Sequence, residues 1–397
     1  MEDLKEIPVL LLTGYLGSGK TTLVNKILNN RKGIRFAVIV NDLGEVNIDA
    51  DLIQKGGVVG KKDESLVALQ NGCICCTLKN DLIQQLCEIT SRQVFDYIVI
   101  EASGICEPEP IAQTICSIPA LGYEYVKNGI PVLDCIVTVV DALRMRDEFD
   151  AGESLRKPGI DEEDIESLVI QQIEFCNIIL LNKASEITPE ELGHLRAIVH
   201  TLQPKARIME CDYGDIDLEE ILDTGMFQFD DVAASATWIQ EVEHHDDDDD
   251  DDDDDDEHEH GHHHHHHHEE EGEAEEYGIG TFVYQARRPF DLNSFDNFVA
   301  KKWPKNVIRA KGICYFSEEF DTCYLFEQAG RQFVLKNVGL WFATMPEDEL
   351  VERLREQPDL LRDWDETYGD RMQKLVFIGQ HLDAEFIRRE LDNCLFE

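Results

Sequence analysis

The sequence predicts an α/β protein with a doubly wound, mostly parallel sheet, followed by a smaller α+β domain. Three observations lead to this prediction. Short apolar runs alternate with helical patterns in the N-terminal part, a glycine-rich segment follows the first apolar run, and new strand-like runs begin after a long stretch of Asp and His. Strands that alternate with helices of this kind are typical of a parallel sheet with crossover helices.

The first domain is expected to open with a buried strand and to continue in regular alternation. Strands are predicted at residues 7–13, 36–41, 97–101, 135–141, 176–182 and 207–211. Helical patterns are found at residues 20–30, 79–91, 161–175 and 188–202. In the last of these, Thr188, Pro189 and Glu191 have the pattern of a capping box with proline at the first helical position. We therefore expect Thr188 to be the N-cap.

A change of composition divides the chain into three predicted segments. Residues 1–225 form the α/β domain, residues 226–277 a disordered linker, and residues 278–397 the α+β domain. Residues 246–256 are an unbroken acidic run and residues 262–268 are all His. Such a segment repels itself and has little apolar surface to bury. In the last domain, strand-like runs at residues 281–286, 307–316, 324–328 and 332–335 predict an antiparallel sheet. A helical pattern at residues 384–395 predicts a closing helix.

Composition excludes several classes of protein. The formal net charge is −46, which argues against nucleic acid or an anionic membrane as partner. No apolar run approaches the roughly 18 residues of a membrane span, and no secretory signal is found at the start, so a cytoplasmic protein is expected. The 12 cysteines are no evidence for disulfides in such a chain. Oligomeric state has no signal in the sequence.

The glycine-rich segment after the first strand carries a phosphate-binding motif. Residues 14–21 match G-x-x-x-x-G-K-[ST] between a strand and a helix. Backbone N–H groups of such a loop wrap a phosphate, the lysine reaches the β- and γ-phosphates, and the threonine offers a hydroxyl to Mg²⁺. The fold is therefore predicted to be that of a P-loop NTPase. Its candidate nucleotide-binding residues are Gly14, Gly17, Ser18, Gly19, Lys20, Thr21 and Thr22.

A second motif bears on the base of the nucleotide. Asn182, Lys183 and Ser185 follow a late strand, where many GTPases have Asn-Lys-x-Asp. The Asp carboxylate accepts hydrogen bonds from the guanine edge, and Ser185 is a weaker acceptor. The motif predicts a preference for GTP, although a weakened one. The alternative interpretation is that Asn182 and Lys183 only end a strand.

Three thiols lie within four residues at Cys73, Cys75 and Cys76. Thiolates this close repel one another unless a soft cation such as Zn²⁺ holds them. Three protein ligands would leave one position open, which suits a metal that is passed on. The alternatives are packed thiols that act as small apolar side chains, and a redox role.

Two carboxylates at strand ends are candidate catalytic residues. Glu101 ends an apolar strand, and Glu45 follows another. Either is placed to meet the hydration shell of Mg²⁺ or to polarise a water. The alternative for each is a solvated loop residue.

The Asp/His segment is interpreted as a weak metal-capturing linker, with a merely solvated linker as the alternative.

Taken together, these motifs resemble the CobW-type family of P-loop GTPases, which act as metal chaperones. The resemblance includes residues 14–21, 41–45, 73–76, 101–104 and 182–183, and it extends into the last domain at residues 309–312 and 341–342. Within the family the sequence looks most like the eukaryotic zinc-regulated activators. The resemblance implies a GTP-hydrolysing zinc chaperone in which GTP hydrolysis gates the release of the metal.

The resemblance also implies roles for individual residues. Lys20, Glu45 and Glu101 would serve catalysis, Thr21 would bind Mg²⁺, and Cys73, Cys75 and Cys76 would bind Zn²⁺. Cys76, Thr77 and Lys79 would also touch the nucleotide. The implied client is a zinc-dependent methionine aminopeptidase, although residues 4–8 keep only the tail of the client-docking segment of the activators. The alternative functions are a passive zinc buffer with a structural P-loop and a cobalt or nickel chaperone of the same mechanism.

Overall fold

The structure is a computed structural model that describes residues 4–29, 33–40, 66–68, 79–149, 163–233, 277–330, 332–356 and 364–396. The chain divides into two compact units, Met1–Ala236 and Thr237–Glu397. Each unit is built around its own sheet.

The first unit contains a seven-stranded sheet in which every pair of neighbours is parallel. Its strands in chain order are β1 Glu6–Thr13, β2 Phe36–Val40, β3 Leu66–Ala68, β4 Tyr97–Glu101, β5 Ile130–Asp141, β6 Ile178–Asn182 and β7 Arg207–Cys211. The spatial order is β3-β2-β4-β1-β5-β6-β7, so β1 lies at the centre. The predicted parallel α/β fold is confirmed. Strand β3 was not predicted.

The inner strands have the composition that a parallel sheet covered on both faces requires. Every residue of β2, β4 and β6 is buried. Long runs of Val, Ile and Leu replace the apolar–polar alternation of a half-exposed strand. Polar residues close three strands of this sheet, where β4 ends with Glu101, β5 with Asp141 and β6 with Asn182. In a sheet of this kind, ligands bind outside the carboxyl ends of the strands.

The helices of the first unit are α1 Lys20–Leu28, α2 Lys79–Arg92, α3 Pro108–Ser117, α4 Tyr123–Val126, α5 Ala142–Phe149, α6 Glu163–Glu174, α7 Pro189–Leu202 and α8 Phe229–Ala233. The predicted capping box of α7 is confirmed, since Thr188 Oγ1 accepts from Glu191 N at 3.2 Å and Glu191 Oε2 accepts from Thr188 N at 2.7 Å. Helices α3, α4, α5 and α8 were not predicted.

The first unit continues past the predicted boundary at residue 225. Phe227 N donates to Asp134 O at 2.8 Å, and the rings of Phe175 and Phe229 are 5.9 Å apart in an edge-on contact. These contacts, together with the burial of Phe227 and Val232, hold residues 226–233 on the first unit, so these residues do not belong to a linker. The rest of the predicted linker, up to residue 276, lies outside the described residues and stays a prediction.

The second unit contains an antiparallel sheet, as predicted, with five strands where four were expected. Its strands are β8 Ile279–Ala286, β9 Val307–Phe316, β10 Glu319–Ala329, β11 Gln332–Leu340 and β12 Gln373–Gln380. The spatial order is β11-β10-β9-β12-β8. Its helices are α9 Leu292–Lys301, α10 Glu347–Glu356 and α11 Ala384–Asp392. The closing helix was predicted at 384–395 and ends three residues earlier.

The core of this unit is rich in aromatic rings. Phe295 and Phe298 of α9 and Ile387 of α11 pack with Tyr284 and Phe377 of the sheet. Strand β12, which the sequence analysis missed, lies between β9 and β8 and is almost entirely buried. It is the last of the described strands in sequence but occupies an inner position of the sheet.

Among the described residues, no helix is both long and apolar enough to cross a lipid bilayer.

Candidate functional site

The loop between β1 and α1 has the backbone conformation of a phosphate-binding loop. Gly14 has φ 131° and Gly19, the N-cap of α1, has φ 112°. A Cβ at Gly14 would lie 2.2 Å from Val139 O, and one at Gly19 would lie 2.3 Å from Asn182 Nδ2. Both positions therefore require glycine for the backbone conformation and for the close approach of a neighbouring strand end.

Lys20 is held inside this loop. Its ammonium group donates to Gly14 O at 2.7 Å and to Tyr15 O at 3.1 Å, and only 7% of the residue is exposed. These contacts aim the charge at the space that the loop encloses.

Ser18 provides a direct sign of a ligand at the loop. The residue is fully buried, and within the described residues its Oγ has no hydrogen-bond partner. Buried polar groups nearly always have one, and an orphan hydroxyl calls for an explanation. A nucleotide phosphate in the loop would supply the missing partner.

The hydroxyl of Thr21 and the carboxylate of Glu101 meet beside the loop. Thr21 Oγ1 donates to Glu101 Oε1 at 2.8 Å, and Glu101 is 1% exposed at the end of β4. The parallel pairing of Leu12 with Glu101 brings the two strand ends together. Hard oxygen ligands of this kind are those that Mg²⁺ prefers. The donor set therefore fits the implied magnesium ion.

Asn182 joins the phosphate loop to the next strand end. Its Nδ2 donates to Ser18 O at 2.7 Å, and its Oδ1 accepts from Gly214 N at 3.1 Å. The residue is 2% exposed. One buried amide thus fixes the spacing between the loop after β1 and the loop after β7.

Lys183 follows Asn182 in a left-handed backbone conformation, with φ 63°. Its ammonium group forms an ion pair with Asp141, the last residue of β5. The parallel pairing of Asp141 with Asn182 explains this contact. Asp141 was not a candidate in the sequence analysis. Asp141 could have been recognised as a site residue because it lies at the carboxyl end of a predicted strand, where ligands of such sheets bind.

Ser185 contacts a carboxylate that sequence reasoning also missed. Its backbone N and its Oγ donate to Asp212 Oδ1, at 3.1 and 2.9 Å. Asp212 directly follows β7, and β6 and β7 are paired in parallel with Asn182 opposite Cys211. The position that lacks the expected Asp is therefore in contact with an Asp from the neighbouring loop.

The remaining candidates are distributed between described and undescribed segments. Gly17, with φ 83°, and the exposed Thr22 belong to the loop and the start of α1. Lys79 is exposed as the first residue of α2. Five candidates lie outside the described residues, and their roles stay predictions: Glu45, Cys73, Cys75, Cys76 and Thr77.

The described cysteines are mostly poor sources of thiolate. Burial raises the pKa of Cys176 to about 12 and the pKa values of Cys211 and Cys394 to about 11. Burial also raises the pKa values of Cys135 and Cys314. Thiols with such pKa values stay protonated near neutral pH, and only the thiolate binds metal.

The loop conformation, the buried lysine and the oxygen pair at Thr21 and Glu101 together define a P-loop nucleotide-binding domain. Comparison with known proteins places the chain more narrowly. Residues 8–210 match the family described as CobW/HypB/UreG, nucleotide-binding domain, and residues 279–395 match the cobalamin synthesis protein cobW C-terminal domain. The chain belongs to the CobW family.

Three similar proteins illustrate the range of the family. The zinc-regulated GTPase metalloprotein activator 1 of Dictyostelium discoideum is 35% identical over 98% of this chain and 80% of its own length. The zinc chaperone CobW of Pseudomonas aeruginosa is 32% identical over 56% of this chain and 61% of its own length. The structure of Zn(II)-bound YjiA GTPase from E. coli is 21% identical, covers 99% of this chain and 100% of that chain, and has a TM-score of 0.40.

Proposed function

We propose that this protein is a GTP-dependent zinc chaperone that binds Zn²⁺ through Cys73, Cys75 and Cys76 and delivers it to a client metalloprotein. Its enzymatic activity is GTP hydrolysis, with GTP as substrate and Mg²⁺ as cofactor. The observation that carries the proposal is the site at the ends of β1, β4 and β6, where Lys20, the Thr21–Glu101 pair and Asn182 surround a loop with an orphan buried hydroxyl.

The geometry supports a simple division of labour in hydrolysis. The loop N–H groups and Lys20 would bind the phosphates, and Thr21 and Glu101 would hold a magnesium ion, which would supply positive charge to neutralise the phosphate oxygens. Lys20 offers its charge where negative charge develops on the β- and γ-phosphate oxygens. Glu45 is proposed to polarise the attacking water. Catalysis of this type depends mainly on positioning and on electrostatic stabilisation.

A first test concerns Glu101. Glu101→Gln keeps the shape of the side chain but removes its negative charge. That carboxylate accepts the hydrogen bond of Thr21 Oγ1 and is the proposed ligand of the magnesium ion. We expect GTP hydrolysis at limiting Mg²⁺ to fall about 10–100-fold, the usual effect of altering such a partner. The measurement is the hydrolysis rate as a function of MgCl₂ concentration.

Glu107→Gln is the matched control for this test, because Glu107 is exposed and lies six residues further along the same connection. It should leave the magnesium dependence unchanged. Equal magnesium curves for Glu101→Gln and the unmodified protein would contradict the proposed role of Glu101.

Two observations on the described residues support the cysteine cluster as the zinc site. Nine of the 12 cysteines lie in described segments, and most of them are buried. Within those segments, no group of three or more His, Cys, Asp and Glu side chains is arranged to hold a metal ion. The three remaining cysteines are Cys73, Cys75 and Cys76, which lie within four residues.

A second test therefore addresses Cys75. Cys75→Ala removes one of three proposed thiolates, and we expect zinc affinity to fall by about 10²-fold or more, since metal affinity depends on ligand number. Zinc is titrated against a chelator of known affinity, with and without GTP and Mg²⁺. In the unmodified protein, nucleotide should shift zinc affinity at least about tenfold, or 1.4 kcal/mol of coupling.

Cys116→Ala is the control for this titration, because Cys116 is an exposed thiol of the same domain. The Asp/His segment is present in all three proteins, so any zinc that it binds adds equally to the three titrations. Unchanged zinc affinity in Cys75→Ala would rule out the cysteine site. Tight zinc binding that nucleotide does not shift would favour the passive buffer.

The client is proposed to be a zinc-dependent methionine aminopeptidase, in the cytoplasm. The support is the sequence resemblance to the zinc-regulated activators. The test is zinc transfer from the loaded protein to the metal-free aminopeptidase in the presence of a chelator. Faster activation with GTP than with a non-hydrolysable analogue is expected.

A further inference from the structure

The base-recognition motif of this chain lacks its carboxylate, because Ser185 occupies the fourth position of Asn-Lys-x-Asp. We propose that Asp212, from the loop after β7, supplies the carboxylate that recognises guanine. The inference rests on the proposed nucleotide site and assigns the selectivity of that site to a residue outside the motif.

Local hydrogen bonds orient the Asp212 side chain. Ser185 N and Ser185 Oγ donate to the same oxygen, Oδ1, at 3.1 and 2.9 Å. Oδ2 makes no hydrogen bond within the described part of the chain, and the residue is partly exposed. One oxygen is therefore anchored while the other remains available to a ligand. Ser185 thus orients the carboxylate instead of accepting from the base itself.

The loop that carries Asp212 is tied to the phosphate site. Asn182 Oδ1 accepts from Gly214 N, and Asn182 Nδ2 donates to Ser18 O in the phosphate loop. Tyr213 and Gly214 both have positive φ, of 53° and 63°. A non-glycine residue in that conformation is uncommon, and here it lies in a turn that Asp215 N closes by donating to Asp212 O at 2.9 Å. Asp212 is therefore placed rigidly relative to the phosphates of a bound nucleotide.

The chemistry of the bases decides what a carboxylate selects at this place. Guanine presents two donors side by side, N1–H and the 2-amino group, and both can donate to one carboxylate in charge-assisted hydrogen bonds. Adenine has an acceptor at N1 and no 2-amino group, so it would leave the carboxylate unpaired. A site built to hydrogen-bond one ligand strongly rejects an analogue that lacks the partner groups.

The deciding experiment is an exchange of base specificity in the full-length protein. Asp212→Asn retains an acceptor for N1–H but offers a donor in place of the second acceptor, which suits the 2-carbonyl of xanthine. We expect GTP affinity to fall about 10²-fold and xanthosine triphosphate affinity to rise by a similar factor. Affinities for GTP, xanthosine triphosphate and ATP are measured by competition with a fluorescent nucleotide.

Asp215→Asn is the matched control. It makes the same change of charge three residues away in the same loop, where Asp215 pairs with Lys26 at 2.7 Å on the surface. This variant should keep the preference for GTP. If Asp212 had only a structural role, Asp212→Asn would weaken the binding of all three nucleotides together. That result would overturn the inference.

A second variant tests the idea without loss of the carboxylate. Exchanging the two residues, Ser185→Asp with Asp212→Ser, moves the acidic group to the usual motif position, and GTP selectivity should be retained. Unaltered GTP preference in Asp212→Asn would overturn the inference alone, while the proposed nucleotide site would stand. Absence of any nucleotide binding by the unmodified protein would overturn both.

Discussion

Replacing Lys20 by alanine is expected to reduce GTP hydrolysis by about 10²–10³-fold, the range found when one preorganised donor to a developing charge is removed. Lys20 Nζ is fixed by Gly14 O and Tyr15 O at 2.7 and 3.1 Å, so its charge is already in place before the nucleotide arrives. A fixed group spends no free energy on reorganisation during the reaction, and its loss is therefore costly. The measurement is phosphate release at saturating GTP and Mg²⁺.

Lys26→Ala is the control for this loss of charge. Lys26 belongs to the last turn of α1, the same helix, but its ammonium group pairs with the largely exposed Asp215. Exposed ion pairs contribute little, so hydrolysis should change less than about twofold. If Lys20→Ala hydrolysed GTP as fast as Lys26→Ala, the loop would not be a catalytic phosphate site.

Asn182→Ala is expected to have the largest combined effect on stability and on nucleotide binding. The substitution leaves the buried Ser18 O and Gly214 N without their partner, and each unsatisfied group costs about 1–3 kcal/mol. The free energy of unfolding should fall by about 2–4 kcal/mol. Because the two loops lose their link, GTP affinity should fall as well. Denaturant unfolding and GTP titration report the two effects separately.

Asn177→Ala separates stability from function in this experiment. Asn177 lies directly before β6, whereas Asn182 is the last residue of that strand. The Asn177 side chain makes an equivalent pair of hydrogen bonds, accepting from Ile136 N at 2.9 Å and donating to Met226 O at 3.1 Å. It lies at the opposite end of the strand from the phosphate loop. A similar loss of stability with normal GTP affinity is expected. Equal losses of GTP affinity in the two variants would show that Asn182 acts only through stability.

The parts of this structure that depend on neighbours in sequence were predictable. The capping box at Thr188 and Glu191 spans four residues, and the apolar runs of β1, β4 and β6 carry their own strand signal. The phosphate loop was predictable because the glycines, the lysine and the threonine of its motif all lie within the eight residues 14–21. Each of these signals is local, so pattern and spacing sufficed.

The parts that depend on register between strands were not predictable. Asp141 meets Lys183, and Asp212 meets Ser185, only because β5, β6 and β7 are aligned with their ends level. In the second unit, β12 begins with Gln373 and Lys374, polar residues that are nonetheless 0% and 1% exposed. The strands on either side bury these two residues. Polar residues are usually exposed, so their composition does not predict this burial.

The place of β12 in its sheet has a consequence for biosynthesis. Among the described strands of the second unit, β8 is the first to leave the ribosome, yet the strand that it pairs with is β12, the last of them to be made. Until residues 373–380 emerge, β8 has no edge to pair with, and the aromatic core that it shares with α11 remains incomplete. The described strands of the nucleotide-binding unit are complete at Cys211, so this unit is free to fold earlier during translation. The second unit closes only after β12 and α11 have both been made.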